Sequence, residues 1–405
     1  MAERRAELVR AVRKGESMRA VARRFGVALG TVQRWVQRAE DGPLPTVEWV
    51  NRSRAPQRVA NKTEASLARR ICALRKELEK ESALGFRGAE VIAEQLREQG
   101  LASVPSVRTI GRILAREGLL DARGRVRRPA PAPGWYLPDL HGGGVELDSF
   151  DVIEDLPLEG FGLCQVFTTR ALFGTAVGAW PAAQTNTTEI VEFMQEHWRG
   201  QGLPPYAQFD NDTRFQGGHN HPDVVGRVMR LCLALGVTPV FAPPLQQGFQ
   251  GMIEHFNGLW QKKVWQRFHH PSLEALVVAS RRFTDAYQQR LARQRPDAPP
   301  RRPFPADFKL DWQRPLRGQL IYVRQTDEHG KVKLLGHEFL VAATWQHRLV
   351  RCEVDLDRHE VRCYQLRRKA PTEQSLLATH EHHLPERPFL VQAPKKKTPR
   401  RPRAP

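Results

Sequence analysis

The chain has 405 residues, which is enough for several domains and at least one full hydrophobic core. Its 63 lysines and arginines exceed its 44 acidic residues and give a net charge of +19, which favours a polyanionic partner such as nucleic acid. The five cysteines form no C-x-x-C pair, which argues against a disulfide framework or a cysteine-based zinc site. With no apolar signal region and no run as long as a membrane span, we expect a soluble cytoplasmic protein with no membrane partner.

Residues 2–40 predict three short helices within a first domain at 1–42. Ser17 is a suitable N-cap for the second helix, and Gly26 allows a tight turn before the third. This is a helix-turn-helix pattern, and it predicts DNA binding. The alternative is a plain three-helix bundle with a solvated basic face. The polar side chains exposed on the third helix are the candidates for DNA contact: Gln33, Arg34 and Arg38.

A linker rich in Gly and Pro leads to a second helical group, predicted as a second helix-turn-helix or winged-helix domain at 57–122. Helices are expected at 63–81, 88–99 and 106–117, the last capped by Ser106. Two such modules could read neighbouring major grooves. The competing interpretation is that this group only packs against the rest of the protein. Its candidate DNA contacts lie outside the apolar stripe of the last helix: Arg108, Thr109, Arg112 and Arg116.

A basic, proline-rich linker at 123–138 precedes a mixed α/β region at 139–296. Apolar runs predict three consecutive strands, then helix, strand, helix, strand and helix, followed by one more long helix at 272–293. Composition alone establishes only a mixed α/β fold. Five short β-rich runs within 315–370 predict a small β-barrel, and 371–405 forms a basic tail suited to nonspecific phosphate contact.

Three acidic residues in this region are candidates for a metal site. Asp210 ends a short buried strand, and Glu254 lies on a helix whose apolar stripe is Ile253, Phe256, Trp260 and Val264. A carboxylate at the end of a buried strand is costly unless a cation pairs with it. Asp148 is the predicted third acid because it also ends an apolar run, with Asp151 as the alternative.

The segments 209–215 and 251–257 carry a resemblance to a known family. Phe-Asp-Asn-Asp-Thr-Arg-Phe and Gly-Met-Ile-Glu-His-Phe-Asn look like the second and third acidic motifs of the Asp-Asp-Glu transposases and retroviral integrases. More narrowly, the chain resembles transposases of bacterial insertion sequences and Mu-like elements, in the order DNA-binding helices, catalytic core, small β domain. The resemblance implies a multidomain protein with an RNase H-like core and a C-terminal β-barrel.

The resemblance also implies an activity. The protein would bind the terminal inverted repeats of a mobile element, cut the 3′ ends and join them to target DNA. Two Mg²⁺ ions, for which Mn²⁺ could substitute, would be held by Asp148, Asp210 and Glu254, with Asp148 bridging. Integrases often carry a DNA-contacting lysine after the glutamate, a role that Lys262 or Lys263 could fill here.

Further expectations follow from the same resemblance. We expect the protein to bind double-stranded DNA, to form a homo-oligomer on that DNA and to lie at the bacterial nucleoid. An ATPase is a possible further partner. The rival hypothesis is a catalytically inactive descendant that acts as a repressor or accessory DNA-binding protein. One departure from the family pattern is Asp212, which stands where glycine is usual and which we expect to face solvent. Histidines at 219, 221, 380, 382 and 383 are more typical of loop positions than of a metal site, with a substrate contact as the alternative for 219 and 221.

Overall fold

The computed structural model describes residues 2–40, 42–51, 63–120, 134–218, 222–246 and 248–385. The chain divides into two compact units, Met1–Ala68 and Arg69–Pro405. Most of the predicted basic linker, at 123–133, and most of the predicted tail, at 386–405, lie outside the described residues, as do His219 and His221.

The first unit begins with three α-helices, α1 (Ala2–Arg13), α2 (Met18–Phe25) and α3 (Leu29–Ala39). Ser17 caps α2 by accepting a hydrogen bond from the Ala20 N–H, as predicted. Gly26 ends α2 in the left-handed conformation at φ 60°, which a residue without Cβ adopts at little cost. Apolar side chains from all three helices form the small core of this unit: Val9, Val21, Val32 and Trp35.

The second helical group contains α4 (Ala65–Glu81), α5 (Ala89–Glu98) and α6 (Val107–Arg116). Ser106 caps α6 through the Thr109 N–H, again as predicted. The bounds agree with the predicted helices to within one or two residues. Each helix buries apolar side chains: Ile71 and Leu74 on α4, Ile92 and Leu96 on α5, and Ile110 and Leu114 on α6.

The α/β region follows the predicted order of elements. It begins with three strands and a helix, β1 (Leu147–Leu158), β2 (Gly162–Ala171), β3 (Val177–Ala182) and α7 (Thr187–Gln201). It continues with β4 (Tyr206–Phe209), a single turn α8 (Thr213–Gln216), α9 (Arg227–Ala234) and β5 (Thr238–Phe241). Helix α10 (Gly251–Trp260), a π-helical turn (Gln261–Trp265) and α11 (Leu273–Gln294) complete it.

The sheet has a parallel centre and an antiparallel edge. β1 pairs antiparallel with β2 and parallel with β4, and β4 pairs parallel with β5. Alternate residues of β1 face opposite layers because side chains alternate along a strand. Phe150 packs into the core on the α7 and α9 side, whereas Ile153 packs with α10 and α11 on the other side.

The C-terminal strands extend this sheet, which corrects the prediction of a separate small β-barrel at 315–370. The six strands are β6 (Gln319–Gln325), β7 (Lys331–Leu334), β8 (His337–Leu340), β9 (Leu349–Asp355), β10 (Glu360–Gln365) and β11 (Leu376–Glu381). Five match the predicted runs, and β11 was not predicted. Because β6 pairs parallel with β5, the described residues form one nine-stranded sheet in the order β11-β10-β9-β6-β5-β4-β1-β2-β3, beside a β7–β8 hairpin.

The sequence of β6 explains why this strand joins the main sheet. Leu320 and Ile321 are both buried, although successive strand residues face opposite sides of a sheet. A strand that is apolar on both faces is typical of the interior of a sheet covered by two layers. Pairing with β5 provides that environment, which a small isolated barrel with a solvated outside would not.

The second helical group packs directly onto the α/β region, in agreement with the interpretation that competed with a second DNA-binding module. Arg290 and Arg293 of α11 form ion pairs with Glu94 and Glu98 of α5. The Phe86 ring meets the Tyr287 ring edge-on, with centroids 6.1 Å apart. At least part of the surface of this group therefore has a structural partner within the same chain.

Candidate active site

The register of two parallel strands brings a pair of acids together. Ser149 on β1 lies beside Gln208 on β4, and the next pair, Phe150 and Phe209, stack their rings with centroids 5.4 Å apart. One further step along the same register places Asp151 beside Asp210, where β4 ends. Electrostatic repulsion between the two carboxylates contributes to the raised pKa of Asp151, which agrees with this placement.

Helix α10 adds the third acid and an amide that positions the first. Its apolar stripe is buried as predicted, which leaves Glu254 exposed on an adjacent face. Asn257, one turn later and buried, donates a hydrogen bond from Nδ2 to the Asp151 Oδ2 at 2.7 Å. Its Oδ1 accepts a hydrogen bond from the Thr168 hydroxyl at 2.8 Å. Since both amide atoms are bonded, the side chain ties β2, β1 and α10 together around Asp151.

The electrostatics of Asp151 are those of a negatively charged pocket. Burial, together with the charges of Asp210 and Glu254, raises the pKa of Asp151 to about 6. Hydrogen bonds from the Val152 N–H and from Asn257 oppose this rise in pKa. Burial likewise raises the pKa of Asp210, although its Oδ1 accepts a hydrogen bond from the Asp212 N–H at 3.0 Å. These charges favour a proton or a cation near Asp151, although the ligand oxygens of Asp151, Asp210 and Glu254 do not all lie within 4.8 Å of one another.

Asp148 lies on the opposite face of β1 and does not join these acids, which corrects its assignment as the first acid. It is fully buried beside α7 and accepts two hydrogen bonds from Arg301, at 2.9 and 2.6 Å, and one from Trp198 at 3.0 Å. Burial would raise the pKa of Asp148, but the charge and hydrogen bonds of Arg301 outweigh it and lower the pKa. Asp151 follows Asp148 by three positions, an odd step, so strand alternation sends their side chains to different layers.

Asp212 has a structural partner, which corrects the expectation that it faces solvent. Its side chain is about a quarter exposed and caps α8 by accepting a hydrogen bond from the Arg214 N–H at 2.7 Å. The Arg214 guanidinium pairs with the same carboxylate at 2.6 Å and also with Glu154. This Asp212–Arg214 pair fixes the turn that follows Asp210.

Comparison with known proteins finds one sequence family and several distant structures. Residues 2–46 match the family of homeodomain-like domains. The N-terminal helices are therefore helix-turn-helix-like in sequence as well as in structure.

Two solved structures similar to this chain are integrase complexes or domains. One is from the intasome of simian T-cell lymphotropic virus in complex with PP2A regulatory subunit B56 gamma, at 13% identity over 64% of this chain and 84% of that chain, with a TM-score of 0.30. The other is the catalytic core domain of BIV integrase, at 14% identity over 33% of this chain and 79% of that chain, with a TM-score of 0.26. At this level of similarity, function must be argued from the side chains of this protein.

The predicted DNA-contacting residues of α3 differ in exposure and in the contacts of their side chains. Gln33 and Arg34 are exposed. Arg38 is half-buried: it donates a hydrogen bond to the Val50 carbonyl at 2.7 Å and lies over the Trp35 ring, with its Cζ 5.1 Å from the ring centroid. Arg38 therefore has a structural role in this unit, and Gln33 and Arg34 are the better candidates for reading DNA.

The predicted DNA-contacting residues of α6 also differ in exposure. Arg108 and Arg112 are exposed, as is Arg116, which pairs with its neighbour Glu117 at 3.2 Å. Thr109 is half-buried and shares a hydrogen bond with Ser106 at 3.0 Å.

The two lysines after Glu254 have different surroundings. Lys262 is exposed. Lys263 donates a hydrogen bond to the Gly85 carbonyl at 2.9 Å and lies over the Phe86 ring, so it holds the second helical group in place. Of the two, Lys262 is the one that remains available for a phosphate.

Sequence reasoning missed two residues that organise these acids, Asn257 and Arg301. Asn257 follows Glu254 by three positions and so belongs to nearly the same helix face, a spacing that could have identified it. Arg301 lies 153 residues from Asp148 in a proline-rich segment, and no local signal connects the two. Among the described residues, no helix is both long and apolar enough to cross a membrane.

Proposed function

We propose that this protein is a DNA transposase of the Asp-Asp-Glu type, with Asp151, Asp210 and Glu254 as its catalytic acids. The observation that carries the proposal is the environment of Asp151. Its pKa is raised to about 6 by burial and by the charges of the other two acids, and Asn257 from the helix of Glu254 holds it in place. Perturbed carboxylates gathered at the end of parallel strands are typical of functional sites.

The donor set fits Mg²⁺. Carboxylate oxygens are hard ligands, and three of them repel one another unless a cation lies between them. Asp151, Asp210 and Glu254 would hold the metal, and Mn²⁺ could replace Mg²⁺. When bound, a pair of such ions activates the attacking oxygen and stabilises the leaving 3′ oxygen during phosphoryl transfer.

The protein's own side chains prepare this site. The Asp151 carboxylate is oriented by two donors, the Val152 N–H at 2.8 Å to Oδ1 and Asn257 at 2.7 Å to Oδ2. Asn211, directly after Asp210, donates to the Ala242 carbonyl at 2.7 Å and accepts from Arg324 at 2.8 Å. These bonds anchor the end of β4 to β5 and β6. Glu254 is exposed, so a DNA backbone can approach it from solvent.

The N-terminal helix-turn-helix would supply recognition of the element ends. Exposed Gln33 and Arg34 on α3 have the donors that bind base edges and phosphates in the major groove. The net charge of +19 supports a polyanionic partner. Because two ends must be paired before joining, the working form would be a homo-oligomer on DNA.

A cleavage assay tests the proposal. The substrate is a duplex carrying the inverted repeats that flank the gene, with Mg²⁺ or Mn²⁺, and the variants are Asp151→Asn, Asp210→Asn and Glu254→Gln. We expect each variant to lose strand cleavage by about 10³-fold or more, because the carboxylates act as a unit. Each should retain binding to the same duplex and the far-UV circular dichroism of the wild type.

The same assay separates the alternatives. Wild-type rates in all three variants would reject the catalytic assignment. Specific binding with no cleavage by the wild type, together with no Mg²⁺ or Mn²⁺ uptake by calorimetry, would identify a non-catalytic DNA-binding protein instead. Loss of cleavage in Asp148→Asn at full stability, with Asp151→Asn active, would return the first position to Asp148.

Substitution of Arg34 tests the recognition surface. We expect Arg34→Ala to weaken binding to the repeat duplex by about 1–3 kcal/mol, since an exposed arginine loses a base or phosphate contact. Arg38→Ala is the matched control on the same helix. It should lower the thermal stability of the first unit, because it removes the bond to Val50 and the contact with Trp35. Equal binding by Arg34→Ala and wild type would exclude α3 as the reading helix.

A further inference from the structure

We propose that Asp223, His337 and His382 form a binding site for Zn²⁺ or a similar first-row transition-metal ion, separate from the carboxylate site. The three residues come from distant parts of the chain: the segment before α9, the start of β8 and the residue after β11. One ligand atom from each lies within 4.8 Å of the other two. Among the described residues, no other group of three or more His, Cys, Asp and Glu side chains meets this criterion.

The distances are close to those of a metal site. The Nε2 of His337 lies 3.1 Å from both oxygens of Asp223, and the Nε2 of His382 lies 3.0 Å from Oδ1. In a tetrahedral Zn²⁺ site with bonds of 2.0–2.2 Å, ligand atoms are about 3.4 Å apart. The two histidine nitrogens lie within 4.8 Å of each other, so an ion would require only local adjustment of the three side chains.

The donor types select the class of ion. Two imidazole nitrogens and one carboxylate suit Zn²⁺ and its neighbours in the first transition row, whereas Mg²⁺ prefers an all-oxygen shell. The side chain of His337 is 40% exposed, while those of Asp223 and His382 are 12% and 10% exposed. A water molecule can therefore reach the fourth position from the His337 side.

The backbone holds two of these residues in place before any ion binds. The Asp223 N–H donates to the Leu335 carbonyl at 2.9 Å, and the His382 N–H donates to the His359 carbonyl at 2.8 Å. Asp223 has φ 62°, an uncommon conformation for a residue with a side chain. A Cβ on Gly336 would lie 2.8 Å from the Pro222 Cα, so the turn of the β7–β8 hairpin is packed closely against this segment.

The neighbouring histidines His380 and His383 have other partners, so they provide control positions for tests of the metal site. The Nε2 of His380 bonds to the Leu340 carbonyl at 2.8 Å. The ring of His383 stacks on that of His359, with centroids 4.5 Å apart, and its Nε2 lies 2.8 Å from a Glu381 carboxylate oxygen. A bound ion would link the hairpin, the end of β11 and the segment before α9, three parts that are joined in sequence only by long stretches of chain.

Metal titration of the full-length, tag-free protein tests the site. After treatment with a chelator, we expect calorimetry to show one specific Zn²⁺ per chain and the melting temperature to rise by about 2–4 °C at saturation. Co²⁺ in place of Zn²⁺ should give visible absorption of a low-coordinate nitrogen–oxygen site. The variants His337→Gln and His382→Gln should weaken Zn²⁺ binding by about 10-fold or more and abolish the Co²⁺ band.

His383→Gln is the matched control, and it should bind both ions as the wild type does. The proposal is overturned if His337→Gln and His382→Gln keep wild-type affinity, or if His383→Gln alone removes the binding. Retained Zn²⁺ affinity in Asp210→Asn would show that the bound ion does not belong to the carboxylate site, so this result is independent of the proposed transposase activity. Loss of the Zn²⁺ signal in Asp210→Asn but not in His382→Gln would also overturn the proposal.

Discussion

The two faces of strand β1 present aspartates in opposite circumstances, although Asp148 and Asp151 are only three positions apart. Asp148 is fully buried, and Arg301 and Trp198 together donate three hydrogen bonds to it. Asp151 is half-buried beside two other acids and accepts a hydrogen bond from the neutral side-chain amide of Asn257. The first carboxylate has its cation within the protein, whereas the second has a raised pKa and lies where an external cation would relieve repulsion.

This contrast separates a structural acid, Asp148, from the acid proposed to be catalytic, Asp151. Burying the Asp148–Arg301 ion pair costs desolvation free energy, so the pair is better explained by the elements it connects than by added stability. Arg301 also donates a hydrogen bond to the Gly202 carbonyl at 2.9 Å and so joins β1 to the end of α7. A pocket of like charges destabilises the fold unless a ligand completes it. Such a cost is typical of sites maintained for chemistry.

The largest effect on stability is expected on the Asp148 face. Asp148→Asn should lower the free energy of unfolding by about 3–5 kcal/mol, because it leaves the Arg301 guanidinium without a counter-charge in a buried setting. Urea denaturation followed by circular dichroism measures the change. Asp151→Asn is the matched control on the same strand and should be neutral or stabilising in metal-free buffer.

The double variant Asp148→Asn with Arg301→Gln sharpens the same comparison. If the ion pair is the cause, the double variant should be more stable than Asp148→Asn alone, since the unpaired charge is removed. Equal stability of Asp148→Asn and wild type would show that the two faces of β1 do not differ in this way.

A smaller effect is expected for Asn257, a positioning residue for Asp151. Asn257→Ala should lower the cleavage rate by about 10- to 100-fold, because the Asp151 carboxylate loses one of its two orienting donors. The lost hydrogen bond lowers the pKa of Asp151 in the wild type, so its removal should move the acid limb of the pH–rate profile to higher pH.

Thr168→Val provides the control for Asn257. It removes the hydroxyl that bonds to the Asn257 Oδ1 but leaves the bond from Asn257 to Asp151 in place. We expect a shift of the pH–rate profile in the same direction and of smaller size. A fall in rate for Asn257→Ala with an unchanged pH profile would indicate a general packing defect.

Much of the fold was predictable because its signals are local. Ser17 and Ser106 cap the helices that their sequences indicate, and five C-terminal strands begin and end close to the predicted residues. Pairing was not predictable from such signals. Whether β6 joins the core sheet or a separate barrel depends on its partner across the chain, and the apolar run at 320–323 does not by itself identify that partner.

The first acid of the candidate site was also not predictable from local signals. The flanking residues predict Asp210 and Glu254 as two of the acids, whereas the apolar run before Asp148 predicts that residue as the first acid. In the structure β1 continues to Leu158, so Asp148 is near its beginning. The register with β4 decides which face each aspartate occupies, and that register is a non-local property.

The last and smallest expected effect is a difference in how the two aspartates make stability depend on pH. The folded-state pKa of Asp151 is raised, from 3.8 to about 6, so the folded protein binds more protons at this residue than the unfolded chain between these values. Its contribution to stability therefore falls as the pH rises from about 4 to about 6 and stays low above that range. The pKa of Asp148 is lowered, so its contribution is present above about pH 4 and is lost as the pH falls further.

Urea titrations of wild type and Asp151→Asn in EDTA, at pH 4.5, 5.5, 6.5 and 7.5, test this difference. The stability of the wild type relative to the variant should decline by about 1–2 kcal/mol from the lowest to the highest pH, because the amide that replaces the carboxyl group in the variant cannot titrate. Mg²⁺ in place of EDTA should reverse the decline above pH 6, since an ion held by Asp151, Asp210 and Glu254 binds only the folded state. A relative stability that does not change with pH, or that Mg²⁺ leaves unaltered, would mean that the acids near Asp151 are too far apart or too well solvated to hold a common ion.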